Sequence, residues 1–360
     1  MADHETLPDQ SPQVNISWST SGRMWLMCFC AIIAVIQSAI SDSGASIIVA
    51  LSAVCAAVLA ELAITYRKSK FAKIKDGSAV ASALIFSLLL PNLIHPVYAV
   101  LGALFAMVVI KHSFGGLGSN WLNPAVGAWL FVRFSWPGAF LTALEGSPLR
   151  IIEESARGGG LPGAPMRLLQ ASEAAAAFGT ALDGSVSGFL NNMFFSLVKA
   201  ELPQGYVDLL ISRFPGIIAD RGLLALLVGT VIITAFGIGR SWLPVAYLGT
   251  FGVFVYIFGD LPFGGVLFDG DVLFALFSGG TIVAAFMLAA YPVSGAKSFA
   301  GVLAGAVTGG FLSWVFRYAG FEIYGAFFAI ALVNALNPVL RFLEARIFFS
   351  QKPKTQGGAL

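Results

Sequence analysis

Residues 76–93 read D-G-S-A-V-A-S-A-L-I-F-S-L-L-L-P-N-L, and after a charge-free apolar run residues 111–127 read K-H-S-F-G-G-L-G-S-N-W-L-N-P-A-V-G. The apolar signal is of membrane length. It is interrupted by Pro91 and Asn92, by a glycine-rich turn and by the Asn123-Pro124 pair. Backbone that breaks at membrane depth survives only where protein buries it or water lines it. Interrupted spans of this kind are where a binding or transport site is expected.

The rest of the chain agrees with a polytopic membrane protein. Of its 360 residues 57% are hydrophobic and 11% charged, against roughly 25% charged in a soluble domain. Mean hydropathy is +0.83, which excludes the soluble classes. A net charge of +2 gives no basis for nucleic acid as a partner. Cys28, Cys30 and Cys55 lie in apolar runs and read as small packing residues rather than a disulfide framework. The polar first 22 residues show no cleavable signal, so the first apolar run reads as a retained span.

Apolar runs predict an all-α protein with about ten transmembrane helices, near 23–41, 45–66, 77–94, 97–112, 122–136, 222–239, 242–260, 272–291, 298–317 and 323–343. Arg67, Lys68, Lys70, Lys73 and Lys75 cluster between the second and third. By the positive-inside rule this loop is cytoplasmic, and with it both termini. Lys111, His112, Arg240, Lys297, Arg341, Arg346, Lys352 and Lys354 fall on the same side. The segment 137–221, with eight acidic and six basic residues, falls outside.

The expected organisation is therefore a polar cytoplasmic tail (1–22), a five-span half (23–136), an external segment (137–221), a second five-span half (222–343) and a cytoplasmic tail (344–360). An odd number of spans per half makes the repeats inverted. L-N-P occurs at 122–124 and again at 336–338, and an acidic-Gly pair opens the third span (Asp76-Gly77) and precedes the eighth (Asp269-Gly270). Gly301, Gly305 and Gly309 form a small-residue stripe for close helix packing.

D-G-S-A-V (76–80), F-G-G-L-G-S-N-W-L-N-P-A (114–125), S-W-P (135–137), D-L-L with P-G-I (208–217) and G-A-F-F-A-I-A-L-V-N-A-L-N-P (325–338) together resemble one family. It holds the D subunit of the Rnf ferredoxin:NAD oxidoreductase and the B subunit of the sodium-translocating NADH:quinone reductase. The resemblance implies a membrane subunit of an ion-translocating electron-transport complex in a bacterial inner membrane. It would work with other subunits that share the catalysis, and NAD and ferredoxin would bind those partners. It also implies FMN, or riboflavin, as cofactor. Relatives attach FMN to the threonine of an external S-G-A-T string. Here D-G-S-V-S-G-F-L (183–190) is the best match, which puts Leu190, without a hydroxyl, at the threonine position. A second register places Thr180 in that role, with Ser187 and Ser185 as further hydroxyls. Two readings from other classes stay open: a solute channel or transporter on this scaffold, and a structural subunit without flavin.

Individual residues carry paired readings. Asp76 is an ion or cofactor contact, or a helix cap. Glu61 is an ion-path acid, or an ion-pair partner of Arg67 or Lys68. Asn120 and Asn123 present polar groups to a flavin or ion, or form a membrane-edge turn. Arg133 holds a flavin phosphate, pairs with Asp183, or snorkels. Arg317 and Glu322 read as a solvated pair. His4, His95 and His112 lack metal-ligand spacing, and no Walker, H-E-x-x-H or dinucleotide motif is present.

Overall fold

The structure is a computed structural model. It describes residues 19–66, 76–113, 115–116, 120–143, 181–195, 206–211, 216–237, 242–259, 261, 266–268, 270–291, 298–320 and 322–350. Among these residues every regular element is a helix, and one isolated antiparallel bridge joins Pro91 to Ile217.

The first half runs α1 (Thr20–Ser41), α2 (Ala45–Tyr66), α3 (Ser78–Leu88), α4 (Pro96–Phe105, continued as a π-helix over Ala106–His112) and α5 (Pro124–Ser135). Short helices follow: α6 (Pro137–Ala143), α7 (Ala181–Leu190, with a π turn at Asn191–Phe195), α8 (Tyr206–Ile211) and α9 (Ile218–Arg221). The second half is α10 (Leu223–Ala235), α11 (Trp242–Phe258), α12 (Val272–Phe277), α13 (Thr281–Val283, continued by a π-helix over Ala284–Ala289), α14 (Phe299–Trp314, with a π tail over Val315–Ala319) and α15 (Gly325–Ser350).

This is an all-α membrane protein. Thr20–Ser41, Ala45–Tyr66 and Phe299–Ala319 are each long and apolar enough to cross a bilayer, and shorter apolar helices accompany them. The α1 surface shows why lipid is the solvent. Trp25, Phe29, Ile32, Ile36 and Ile40 recur every three or four residues and are all exposed, while Met24, Met27, Cys28, Ala31 and Ala34 face inward. In water such an outward apolar stripe would drive aggregation. Small residues do the inward packing on α2, where Val49, Ala50, Ala53, Ala56, Ala57 and Ala60 are buried, which lets backbones approach closely.

At the centre lies α3, buried over nearly its whole length. It stops at Leu88 because Pro91 has no N–H to continue the ladder. The freed backbone is satisfied by α9's approach: Ile218 N–H donates to Leu90 O at 2.9 Å and Asn92 N–H to Gly216 O at 3.3 Å. Cys28 and Cys30 face different neighbours, their thiols directed at Gly77 O and Gly229 O, whereas Cys55 faces outward.

Three expectations change. The run 272–291 is not one helix, because Ser278 is extended and Gly279 and Gly280 take φ of 66° and 70°, which divides α12 from α13. The equivalent of Gly77 is therefore Gly280 rather than Gly270. Both are left-handed helix caps, with φ/ψ of 72°/0° and 70°/18°, and such a backbone favours glycine. The two L-N-P strings also differ, since Asn123 and Pro124 open α5 while Pro338 sits inside α15.

Candidate functional site

The end of the bundle next to the basic loop carries a buried charge network. Glu61 stands near the end of α2 with its side chain 3% exposed. Its Oε2 accepts from Lys111 Nζ at 2.9 Å and lies 2.8 Å from His112 Nε2. Both partners come from the π tail of α4, fifty residues on, rather than from Arg67 or Lys68. Lys111 Nζ also donates to Ser78 Oγ at 2.8 Å, and Ser78 Oγ donates to Asp76 Oδ1 at 2.6 Å. Asp76 takes Ser78 N–H at 2.8 Å as well. It thus holds the first amide of α3 and joins the charge network at once. A buried acid at the end of a span requires such partners.

Asn123 Oδ1 accepts Ala125 N–H at 3.0 Å and caps α5, with Pro124 preset for its first turn. Among the described residues its Nδ2 has no partner, and neither amide atom of Asn120 has one, although both side chains are more than nine-tenths buried. Buried polar atoms left unpaired cost about 1–3 kcal/mol each. Three such atoms lie within four residues of sequence here.

The opposite end, beside the long loop segment, holds a second network. Asp220 of α9 accepts Gly280 N–H at 2.8 Å and Gly279 N–H at 3.1 Å. Burial pushes its carboxyl up to about 6, against the lowering effect of those amides and of Arg317. Arg317 is buried and no solvated partner of Glu322: it donates to Ser278 O at 2.8 Å, Ala275 O at 3.0 Å and Ser278 Oγ at 2.6 Å. Glu322 instead pairs with Arg133 at 3.3 Å, and Arg133 also lies 5.4 Å over the Phe140 ring. Asp183 Oδ1 accepts Val207 and Asp208 N–H groups and caps α8. Ser187 Oγ is buried without a partner among the described residues, and Thr180 lies outside them.

The relatives fall in one family. A family model described as NQR2, RnfD, RnfE matches residues 8–349. The chain belongs to the NQR2, RnfD, RnfE family. The D subunit of the proton-translocating ferredoxin:NAD(+) oxidoreductase complex of Clostridium ljungdahlii is 27% identical, over 92% of each chain. The D subunit of the Na(+)-translocating ferredoxin:NAD(+) oxidoreductase complex of Acetobacterium woodii is 28% identical, over 86% of this chain and 85% of its own. The D subunit of the ion-translocating oxidoreductase complex of Vibrio cholerae is 27% identical, over 96% and 98%.

In this NQR2, RnfD, RnfE family member the sequence singled out Asp76, Glu61, Asn120 and Asn123, and the structure ties the first two into one network. Lys111 and Arg317 were missed. Both were assigned to span ends, where a basic residue usually reaches water. Asn334 and Asn337 of α15 were also overlooked as side chains. They are buried, Asn337 Nδ2 lies 3.4 Å from Asn334 Oδ1, and Asn334 Nδ2 is unpartnered. Arg133 meets Glu322, and Trp129 meets Phe327 at 5.0 Å between ring centroids. These contacts make α5 and α15 antiparallel, so six or seven residues further along, Asn123 and Asn334 fall at similar depth. The repeat of asparagine within 120–123 and 334–337 was the available signal.

Proposed function

We propose that this chain is the membrane subunit of an Rnf-type, ion-translocating electron-transport complex and works with the other subunits of that complex. The match to the family model over residues 8–349 carries the reading. The relatives' names as subunits of ferredoxin:NAD(+) oxidoreductase complexes give it its chemistry. The proposed topology is ten spans in two inverted five-helix halves in a bacterial inner membrane, with both termini cytoplasmic. The distribution of Lys and Arg supports it, as do the like-capped starts of α3 and α13.

A flavin, FMN or riboflavin, is part of the proposal. Bound, it would pass single electrons. Asn120 and Asn123 suit its ring edge, because an amide sets a donor beside an acceptor, as the imide edge does in reverse. Of the candidate attachment residues, Ser187 is 1% exposed, Ser185 is exposed, Leu190 has no hydroxyl, and Arg133 is engaged by Glu322.

Purification of the complex through a tag on this chain tests the reading. Co-purified Rnf-type partners and a released, non-covalent flavin support it. Isolation of the chain alone, without flavin, would favour the transporter reading. Mass spectrometry of the peptide 167–199 decides attachment, and an FMN-sized addition lost in Thr180→Val would restore the covalent link.

A further inference from the structure

The half-helices α3 and α13 begin with the same device. Each follows a left-handed glycine, Gly77 or Gly280, and each opens on a hydroxyl residue, Ser78 or Thr281. A basic side chain from the π-helical tail of a later helix reaches that hydroxyl. Lys111 Nζ is 2.8 Å from Ser78 Oγ, and Arg317 Nη1 is 3.5 Å from Thr281 Oγ1. The π tails span Ala106–His112 and Val315–Ala319. Such bulges turn the following residues to a face a regular helix would not give them, and they are frequent at functional sites.

The chemistry at the two positions differs. Around Arg317 the partners are the carbonyls of Ala275 and Ser278 and the hydroxyls of Ser278 and Thr281, and a guanidinium does not release its proton in proteins. Around Lys111 every neighbour exchanges protons. Glu61 Oε2 bridges Lys111 Nζ and His112 Nε2, and Ser78 Oγ bridges Lys111 Nζ and Asp76 Oδ1. Exposure falls sharply along the row, from 15% for the His112 side chain to 3% for Glu61 and 1% for Lys111. The row therefore has a dry interior of Glu61, Lys111 and Ser78 between two partly exposed ends, His112 and Asp76.

We propose that His112, Glu61, Lys111, Ser78 and Asp76 form a proton-loading site, with His112 as its port, and that Arg317 closes the equivalent position at the other end. The cytoplasmic placing of the port, and the use of the proton by a translocating complex, rest on the proposed function. A proton bound at His112 Nε2 passes to Glu61 Oε2, breaking N–H and forming O–H. Lys111 hands one ammonium proton to Ser78 Oγ while Ser78 hands its hydroxyl proton to Asp76 Oδ1. Glu61 then returns its proton to the Lys111 amine. The net result is one proton moved from His112 to Asp76, with Glu61, Lys111 and Ser78 restored. Of the other ionisable groups among the described residues at this end, α1 carries Arg23 and brings the Cys28 thiol to Gly77 O, α2 ends in the exposed Tyr66, and Tyr291 faces Ser82 one turn beyond Ser78 at 3.4 Å. None of them interrupts the row.

The test uses the purified complex containing this chain, reconstituted in vesicles. Infrared difference spectra between alkaline and acidic medium should show a carboxylic C=O band that is absent in Asp76→Asn. Its rate of appearance after a pH jump should fall about tenfold or more in Ser78→Ala and in Lys111→Arg, and Ser78→Thr should restore it. If Lys111→Arg fails to assemble, the Ser78→Ala and Ser78→Thr pair decides. A band with unchanged kinetics in Ser78→Ala, or no band assignable to Asp76, overturns the relay. Electron transfer measured in the same wild-type preparation reports separately on the proposed function, because the band can fail while electron transfer persists.

Discussion

Arg317 carries more of the second half than its position at a span end suggests, and Arg317→Met measures how much. Methionine keeps the length and apolar stem but removes the guanidinium. Three close hydrogen bonds disappear, to Ser278 O at 2.8 Å, Ser278 Oγ at 2.6 Å and Ala275 O at 3.0 Å. At about 1.5 kcal/mol for each bond from a charged group, the gross loss is about 4.5 kcal/mol. Part returns because a buried charge no longer has to be desolvated. The carbonyls of Ala275 and Ser278 also keep the Thr281 hydroxyl, at 3.0 Å from each. The expected net loss is about 3 kcal/mol, and it should act through the break between α12 and α13.

Unfolding of the detergent-solubilised protein in rising dodecyl sulfate, followed by circular dichroism, gives that free energy. Arg317→Lys should recover little of it, because an ammonium cannot reproduce the planar fork that reaches a carbonyl and a hydroxyl together. In a double-mutant cycle with Asp220→Asn the two losses should not add, since Asp220 holds the Gly279 and Gly280 amides and feels the Arg317 charge. A loss below about 1 kcal/mol in Arg317→Met would refute the reasoning, because the bonds it removes would then contribute no more than an average surface pair.

Three further outcomes are expected. Gly280→Ala should destabilise severely, by about 1–2 kcal/mol from backbone strain and more from a Cβ placed 2.3 Å from Phe327 Cζ; Gly138→Ala, whose Cβ meets nothing within 4 Å, is the neutral control in the same unfolding assay. Asn123→Leu should lose about 1 kcal/mol with the α5 cap and also lose flavin, whereas Asn123→Asp keeps the capping oxygen but not the Nδ2 donor; normal flavin content in Asn123→Asp would return Asn123 to a purely structural role. Asp220 takes up a proton on folding, because its carboxyl rises from 3.8 to about 6. Its contribution to stability is therefore present below about pH 4 and is lost as pH rises through about 6, and stability profiles of wild type and Asp220→Asn should diverge across that window.

Local physics made much of this molecule readable. Runs of apolar residues cannot stay in water, and helices that enter lipid must satisfy their own backbone, so α1, α2 and α14 follow from composition alone. Helix ends are local too: Pro91 stops α3 and Asn123-Pro124 starts α5 through φ restriction and side-chain capping, forces that act within four residues. The flagging of Asp76, Glu61, Asn120 and Asn123 rested on the same footing, since a polar group in an apolar run demands a partner. Which partner it finds is not a local matter. Glu61 had basic residues six and seven positions away and took Lys111 and His112 instead, because the π tail of α4 turns both inward where α2 passes. The division of 272–291 at Gly279-Gly280 likewise needs Asp220, sixty residues earlier in the chain, to receive the freed amides. Apolar runs and caps are written in neighbouring residues, but a buried charge is settled by whichever helix brings the opposite charge closest, and only the packed bundle decides that.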